Sequence, residues 1–128
     1  MTRVPLISII DDDESVRVAI SSLVRSLGLT ASGFASAEEF LTSADLPGTA
    51  CVITDVQMPG MSGIELQDLL IRQGWRLPII FITAFPEERI QQRLLAAGAA
   101  GFLIKPFDGQ TMIECLNAAL GEASGNRI

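Results

Sequence analysis

The sequence predicts an α/β fold in which helices cover both faces of a parallel β-sheet, and three observations lead to this prediction. The 128 residues, 48% hydrophobic and 19% charged, have a usual size and composition for one globular domain. Short runs rich in β-forming residues alternate with amphipathic segments of helical period, as in successive βα units. Four of the five short runs are almost continuously apolar, which is typical of strands buried on both faces of a parallel sheet.

The five predicted strands are short and are distributed along the whole chain. They are residues 6–10, 30–34, 50–54, 78–82 and 100–104. The second is the weakest of the five and suits an edge of the sheet. The crossovers between parallel strands are expected to be right-handed.

The first two predicted helices follow from periodicity and capping residues. Apolar side chains recur at helical spacing from Val16 to Leu27, and Gly28 then ends this first helix as a C-cap. Ser36 and Glu39 have the spacing of a capping box, which indicates the start of a short second helix.

The remaining three helices are predicted in the same way. Leu66 and Leu70 lie on one face of the third helix, which Gly74 closes, and Pro86 suits the first turn of the fourth. Met112 begins the apolar face of the fifth. We expect one domain over residues 1–122, with 123–128 as a C-terminal tail or the start of a linker.

Composition excludes several classes of function. The longest apolar uncharged stretch, residues 94–104, has 11 residues, whereas a membrane-spanning helix needs about 20. A net charge of −6 argues against direct nucleic-acid binding by this chain. Two cysteines far apart in apolar patterns are most simply explained as reduced thiols in a cytoplasmic protein.

The absence of histidine limits the chemistry further. It excludes Ser-His-Asp and Cys-His machinery and the common zinc motifs. The chain also contains a single lysine, Lys105. Any chemistry must therefore use carboxylates, hydroxyls, one ammonium group, backbone amides or a hard cation.

Polar residues stand at the carboxyl ends of four predicted strands, where ligands of open α/β sheets bind. They are Asp11, Asp12, Asp55, Thr83 and Lys105. The three carboxylates would converge if the first and third strands are neighbours, and such a cluster is unfavourable without a cation. Oxygen ligands favour Mg²⁺ or Mn²⁺, and a lysine with a hydroxyl facing the metal suits phosphoryl transfer. The acceptor can be a carboxylate.

Four segments at these strand ends, in this order and spacing, resemble the receiver domain of response regulators in two-component signalling. They are residues 9–13 (IIDDD), 54–63 (TDVQMPGMSG), 81–84 (FITA) and 102–107 (FLIKPF). The match extends over about residues 5–120 and is most similar to receivers of FixJ/LuxR-type transcription regulators. The resemblance implies a CheY-like, flavodoxin-like (βα)5 fold with strand order 2-1-3-4-5.

The resemblance also assigns a phosphorylation and metal site. Asp55 matches the phosphoacceptor and Asp12 the residue that binds Mg²⁺ directly. Asp11 matches the residue that holds Mg²⁺ through a water molecule. The backbone carbonyl of Gln57 matches a further metal ligand beside Asp55.

The resemblance implies that other residues bind the phosphoryl group and transmit its presence. Thr83 matches the hydroxyl that hydrogen-bonds the phosphoryl group, and Lys105 matches the lysine that pairs with it, with a cis bond expected between Lys105 and Pro106. Thr83, Ala84 and Phe102 match the switch, in which Phe102 turns into the space beside Ala84.

The implied function is that of a phosphoacceptor that a sensor histidine kinase phosphorylates with the help of Mg²⁺. Phosphorylation would change the surface of the fourth helix, fifth strand and fifth helix and control homodimerisation. Output would be transcription through an effector domain outside this sequence. Gln57 and Phe85 match positions that tune phosphoryl lifetime. Beyond its own phosphorylation and dephosphorylation we expect no enzymatic activity and no membrane partner.

Three other functions compete with this interpretation. An aspartyl-phosphate phosphatase of the DxDx[TV] type would have a second aspartate where Gln57 stands. A flavin or nucleotide binder would need a Gly/Ser/Thr-rich loop after the first strand, where this chain has acids that repel phosphate. A degenerate receiver acting as an interaction module would lack some of the five site residues, and all five are filled.

Overall fold

The computed structural model describes residues 4–125 and contains a five-stranded parallel sheet in the order β2-β1-β3-β4-β5. The strands are β1 (Leu6–Ile10), β2 (Thr30–Phe34), β3 (Thr49–Asp55), β4 (Ile79–Thr83) and β5 (Gly101–Ile104). The predicted fold class and strand order are confirmed. The weakest predicted strand, β2, lies at an edge of the sheet as expected.

Five α-helices connect or follow the strands. They are α1 (Glu14–Ser26), α2 (Ala37–Leu41), α3 (Gly63–Arg72), α4 (Glu88–Ala96) and α5 (Gly109–Gly125), and a 3-10 turn over Leu46–Gly48, which was not predicted, precedes β3. Residues 123–125 of the predicted tail thus continue α5, whereas 126–128 lie outside the described residues. Within residues 4–125, none of the helices is both long and apolar enough to cross a membrane.

The start of α4 differs from the prediction. Pro86 lies before the helix, which begins at Glu88 with Glu87 as the N-cap residue. The Phe85 amide donates a hydrogen bond of 3.1 Å to Thr83 Oγ1, which turns the chain back on the end of β4. The chain enters α4 only beyond this turn, so Pro86 belongs to the loop and not to the first turn of the helix.

Capping explains where α1, α2 and α3 begin. Asp13 caps α1 by accepting from the Ser15 amide, and Ser36 caps α2 by accepting from the Glu39 amide. The complete capping box lies at α3, where the Ser62 and Glu65 side chains each accept from the other's backbone amide. The capping box predicted at α2 is formed only by its Ser36 half, whereas the complete Ser62–Glu65 box, which also fits the sequence pattern, was not predicted.

The core has two layers, one on each face of the sheet. On one face, β1 and β3 isoleucines such as Ile9 and Ile53 pack with α1 and α5, including Val24 and Leu116. On the other face, a second cluster joins Val52 and its neighbours to α2, α3 and α4. The near-continuous apolar strands are thus buried on both sides, which leaves the carboxyl ends of the strands as the place for polar side chains.

Candidate functional site

Three carboxylates meet at the carboxyl edge of the two central strands. Asp11 and Asp12 follow β1 and Asp55 ends β3, and these strands pair directly, with Ile10 opposite Thr54. One oxygen from each carboxylate lies within 4.8 Å of the others. This acid cluster (Asp11, Asp12 and Asp55) confirms the predicted convergence. Asp11 is fully buried and Asp55 nearly so, whereas Asp12 is exposed at the rim.

Lys105 joins the two buried carboxylates of the acid cluster. Its Nζ donates to Asp11 Oδ2 at 2.9 Å and to Asp55 Oδ2 at 3.0 Å. Lys105 reaches this position because it follows β5 directly, and its own amide still donates to the Thr83 carbonyl of β4 at 2.8 Å. The bond between Lys105 and Pro106 is cis, as predicted.

The second oxygen of each buried carboxylate is held by backbone. Asp11 Oδ1 accepts from the Asp13 amide at 2.9 Å, and Asp55 Oδ1 accepts from the Gln57 amide at 3.1 Å. Both contacts span two residues, which is the local turn that aspartate favours. Each of these carboxylates is therefore oriented by its own loop on one side and by Lys105 on the other.

The pKa values of Asp11 and Lys105 are set by two opposing effects, which are burial of the charged group and its pairing with an opposite charge. Burial raises the pKa of Asp11 above its usual value, and hydrogen bonds from the Asp13 amide and Lys105 only partly oppose this effect. Burial alone would lower the pKa of Lys105, but hydrogen bonds and attraction from Asp11 and Asp55 outweigh it, so this pKa is raised. Lys105 therefore stays charged at neutral pH.

The donor set fits a hard divalent cation. Three carboxylates face one ammonium group, and two unit charges about 4 Å apart repel by roughly 4 kcal/mol in a partly exposed setting. Oxygen donors and excess negative charge are what Mg²⁺ requires, and Mg²⁺ usually needs only one or two carboxylates with water completing its shell. Direct ligation by Asp12 and Asp55, a carbonyl ligand from Gln57 and a water-mediated role for Asp11 remain predictions.

Thr83 lies at the end of β4 and is almost fully buried. Its hydroxyl accepts from the Phe85 amide and lies 3.5 Å from Gln57 Oε1 in the loop after Asp55. Thr83 therefore lies beside Gln57, two residues after Asp55 of the acid cluster. It ends β4, the strand between β3 and β5. Its role toward a phosphoryl group stays a prediction.

The predicted switch residues lie on β5 and in the loop after β4. Phe102 pairs in register with Phe81 and is half-buried against the second core cluster. Ala84 is exposed, and Phe85 beside it is 73% exposed. The movement of Phe102 toward Ala84 remains a prediction.

Two contacts at the site were missed from the sequence. Arg17 of α1 donates from Nη1 to the Asp11 backbone carbonyl at 2.6 Å, and Glu38 of α2 accepts from the Met61 amide at 3.1 Å. These contacts join residues 6 and 23 positions apart. Arg17 and Glu38 are ordinary charged residues on amphipathic helices, so their sequence positions carried no local signal of these partners.

An apolar groove adjoins the acid cluster. It has a volume of about 660 Å³ and lies between α1 and the segment that follows β5. Its lining includes Ile20 and Leu23 from α1, and Lys105, Pro106 and Phe107 from the other side.

Comparison with known proteins agrees with these observations. The family model described as the response regulator receiver domain matches residues 7–117. The response regulator protein TodT of Pseudomonas putida is 40% identical over 125 residues, which cover 98% of this chain and 55% of TodT. The transcriptional regulatory protein FixJ of Azorhizobium caulinodans is 36% identical, with 92% of this chain and 56% of FixJ covered. The chain thus spans about half the length of these relatives.

Solved structures show the same fold. The response regulator StyR superposes with a TM-score of 0.89 at 37% identity, covering 98% of this chain and 63% of the StyR chain. The crystal structure of FixJ-N superposes with a TM-score of 0.82 at 31% identity, covering 94% of this chain and 96% of that one.

Proposed function

This chain belongs to the response regulator receiver domain family of two-component systems, and from this premise we propose that it accepts a phosphoryl group on Asp55. The observation that carries the proposal is the geometry of Asp55 itself. Its carboxylate is 7% exposed, is bound by Lys105 at 3.0 Å and lies within 4.8 Å of two further carboxylates. A nucleophilic carboxylate, a cation and a place for a divalent metal are the parts that phosphoryl transfer needs.

The transfer uses groups of this chain in named roles. A carboxylate oxygen of Asp55 attacks the phosphorus of a phosphohistidine on a sensor histidine kinase, and the P–N bond breaks with its electron pair returning to the imidazole. Before the transfer, Lys105 binds both Asp11 and Asp55. After it, Lys105 donates to the phosphoryl oxygens and offsets their negative charge. Bound Mg²⁺, held by Asp12, Asp55 and the Gln57 carbonyl and through water by Asp11, would supply further positive charge at those oxygens.

The new phosphoryl group then changes the loop after β4. Its oxygens accept a hydrogen bond from Thr83, whose hydroxyl otherwise accepts from the Phe85 amide. Movement of Thr83 opens space beside Ala84, and Phe102 turns inward. The face formed by α4, β5 and α5 changes as a result, and the exposed Leu95 and Ile104 on it support a role in homodimerisation.

The relatives of this chain and its net charge support a proposal for its partners and for the process that it regulates. TodT is a response regulator protein and FixJ a transcriptional regulatory protein, each about twice as long as the matched region. We therefore assign this chain the signal-receiving part of a cytoplasmic transcription regulator whose effector lies outside this sequence. A sensor histidine kinase is the partner that this assignment requires, and the net charge of −6 argues against direct contact with nucleic acid.

The experiment is intact-mass measurement after incubation with acetyl phosphate and Mg²⁺. The wild-type chain should gain one phosphoryl group, the gain should vanish when EDTA removes the metal, and Asp55→Asn should gain none. Asp68→Asn is the matched control, because Asp68 is an exposed aspartate on α3 paired only loosely with Arg72 at 3.8 Å. It should be phosphorylated as the wild type is.

Three results would contradict the proposal. A phosphoryl gain that persists in Asp55→Asn would place the acceptor elsewhere. Continuous release of phosphate with rapid turnover would instead support the aspartyl-phosphate phosphatase, and failure of any small phosphodonor to modify the wild type would support the degenerate receiver.

A further inference from the structure

The loop between β3 and α3 is held from outside by a side chain of α2. Glu38 Oε2 accepts a hydrogen bond from the Met61 amide at 3.1 Å. Gly60, immediately before Met61, has a φ of +75°, and a Cβ on it would lie 2.6 Å from the same Glu38 oxygen. The carboxylate therefore lies directly against the loop backbone, and the loop can approach it closely only because residue 60 is glycine.

Glu38 projects from a firmly anchored base. Although α2 has five residues, Ala37 and Phe40 are both fully buried, and the Phe40 ring packs edge-on against Phe34 of β2 with centroids 5.4 Å apart. Ser36 caps the helix by accepting from the Glu39 amide at 3.1 Å. The position of the Glu38 backbone is thus fixed by the core, and its carboxylate can hold the loop at a defined place.

The loop that Glu38 contacts carries one side of the candidate metal site. It begins after Asp55, and its Gln57 amide holds Asp55 Oδ1. It ends at Ser62, whose amide donates to Glu65 Oε1 at 3.0 Å. The Met61 amide lies just before that cap, so Glu38 fixes the loop between its two ends.

We propose that Glu38 is a positioning residue that holds the β3–α3 loop in the shape required for metal binding and phosphorylation of Asp55. It acts through the Met61 amide and touches neither metal nor phosphodonor. This inference rests on the proposed function. A hydrogen bond from an amide to a carboxylate is among the stronger kinds in proteins, and its loss releases a loop that has no regular secondary structure of its own.

The test compares Glu38→Ala, Glu38→Gln and Glu39→Ala. Glu39 is an exposed acid next to Glu38 on α2, so Glu39→Ala changes the net charge equally and serves as the matched control. The Mg²⁺ dissociation constant is measured by calorimetry, and the phosphorylation rate by acetyl phosphate is measured at limiting and saturating Mg²⁺. Exchange of the Met61 amide is followed by NMR in the metal-free protein.

We expect Glu38→Ala to raise the Mg²⁺ dissociation constant about fivefold and to accelerate Met61 amide exchange. The phosphorylation rate should fall at limiting Mg²⁺ and recover largely at saturation. Glu38→Gln keeps an acceptor oxygen and should stay within about twofold of the wild type, as should Glu39→Ala.

Equal Mg²⁺ affinity in Glu38→Ala and Glu39→Ala would overturn the inference, because a shared effect would come from charge alone. Glu38→Gln behaving like Glu38→Ala would overturn it also, since the acceptor would then not matter. If the wild type itself bound no Mg²⁺ and accepted no phosphoryl group, the proposed function would fail first, and that result is distinguishable from either pattern among the variants.

Discussion

Polar side chains form two groups along the sheet, one at the level of Ser8 in the middle of β1 and one at the carboxyl edge. The inner group, here called the hydroxyl cluster, consists of Ser8 of β1, Ser32 of β2, Thr49 of β3 and Asp45, which lies before β3. Ser8 Oγ and Thr49 Oγ1 lie 2.8 Å apart, and Thr49 Oγ1 donates to the Asp45 carbonyl at 2.8 Å. The Asp45 carboxylate in turn accepts from Ser32 Oγ at 3.0 Å.

The two clusters are stabilised in different ways. In the hydroxyl cluster, every hydrogen bond has a hydroxyl donor and an oxygen acceptor. The polar groups therefore satisfy one another and stabilise the sheet. In the acid cluster, Lys105 binds Asp11 and Asp55 and the Asp12 carboxylate adds a third negative charge, which leaves negative charge for a cation to neutralise. The two groups differ in charge density, because the hydroxyl cluster holds one carboxylate, that of Asp45, whereas the acid cluster brings three together.

The largest effect should come from removing Lys105, the ammonium group that binds two carboxylates of the acid cluster. Lys105→Met keeps the length of the side chain but leaves the buried Asp11 carboxylate without its ammonium partner. We expect the rate of phosphorylation by acetyl phosphate to fall by about 10²–10³-fold at saturating Mg²⁺, which is the usual cost of removing a group that stabilises transition-state charge. Arg72→Met on the exposed face of α3 is the control and should leave the rate unchanged. A rate within threefold of the wild type in Lys105→Met would remove Lys105 from the transfer step.

The second-largest effect should come from Asp12→Asn, which should weaken Mg²⁺ binding but raise thermal stability. Asp12→Asn removes one of three like charges, so the melting temperature of the metal-free protein should rise by about 2–4 °C, while Mg²⁺ binding weakens roughly tenfold or more. Thermal melts in EDTA and calorimetric titration measure the two quantities. Glu14→Gln removes a neighbouring exposed acid outside the cluster and should change neither by a comparable amount. If Asp12→Asn lowered both the melting temperature and the Mg²⁺ affinity, Asp12 would stabilise the fold as the hydroxyl cluster does.

The smallest effect should fall on stability alone. Ser8→Ala deletes the buried hydrogen bond to Thr49, which keeps its bond to the Asp45 carbonyl, so the free energy of unfolding should fall by about 1 kcal/mol. Urea denaturation measures this change, and exposed Ser22→Ala on α1 provides the reference. Mg²⁺ affinity and phosphorylation should stay at wild-type values. A change in either of these would mean that the two levels of the strands are coupled.

The sequence pattern predicted the features that depend on the order of residues along the chain, which are the strands and the polar residues that follow them. Apolar runs located all five strands, with β1 and β2 matching residue for residue, and the polar residues after these runs identified the acid cluster and Lys105. Those predictions succeed because parallel strands bring their carboxyl ends to one edge, so a residue's place after its strand is enough to place it in space.

The parts that sequence could not predict depend on contacts between distant elements. Pro86 was misplaced because a single hydrogen bond from Phe85 to Thr83 delays the start of α4. Glu38 and Arg17 look like solvent-facing charges, and only the packing of α1 and α2 shows that they hold loop backbone. Serine in β1 likewise gave no sign that its partner would be Thr49, 41 residues away.

The hydrogen bond between Lys105 and Asp11 has a consequence for folding. It joins residues 94 positions apart, from the first strand in the chain and from the segment after the last. Bringing two such residues together costs loop-closure entropy, which contacts elsewhere in the fold must offset. The site is complete only when β5 lies beside β4, so the ability to accept a phosphoryl group should depend on an intact sheet. Phosphorylation measured during refolding would then report on completion of the sheet as a whole.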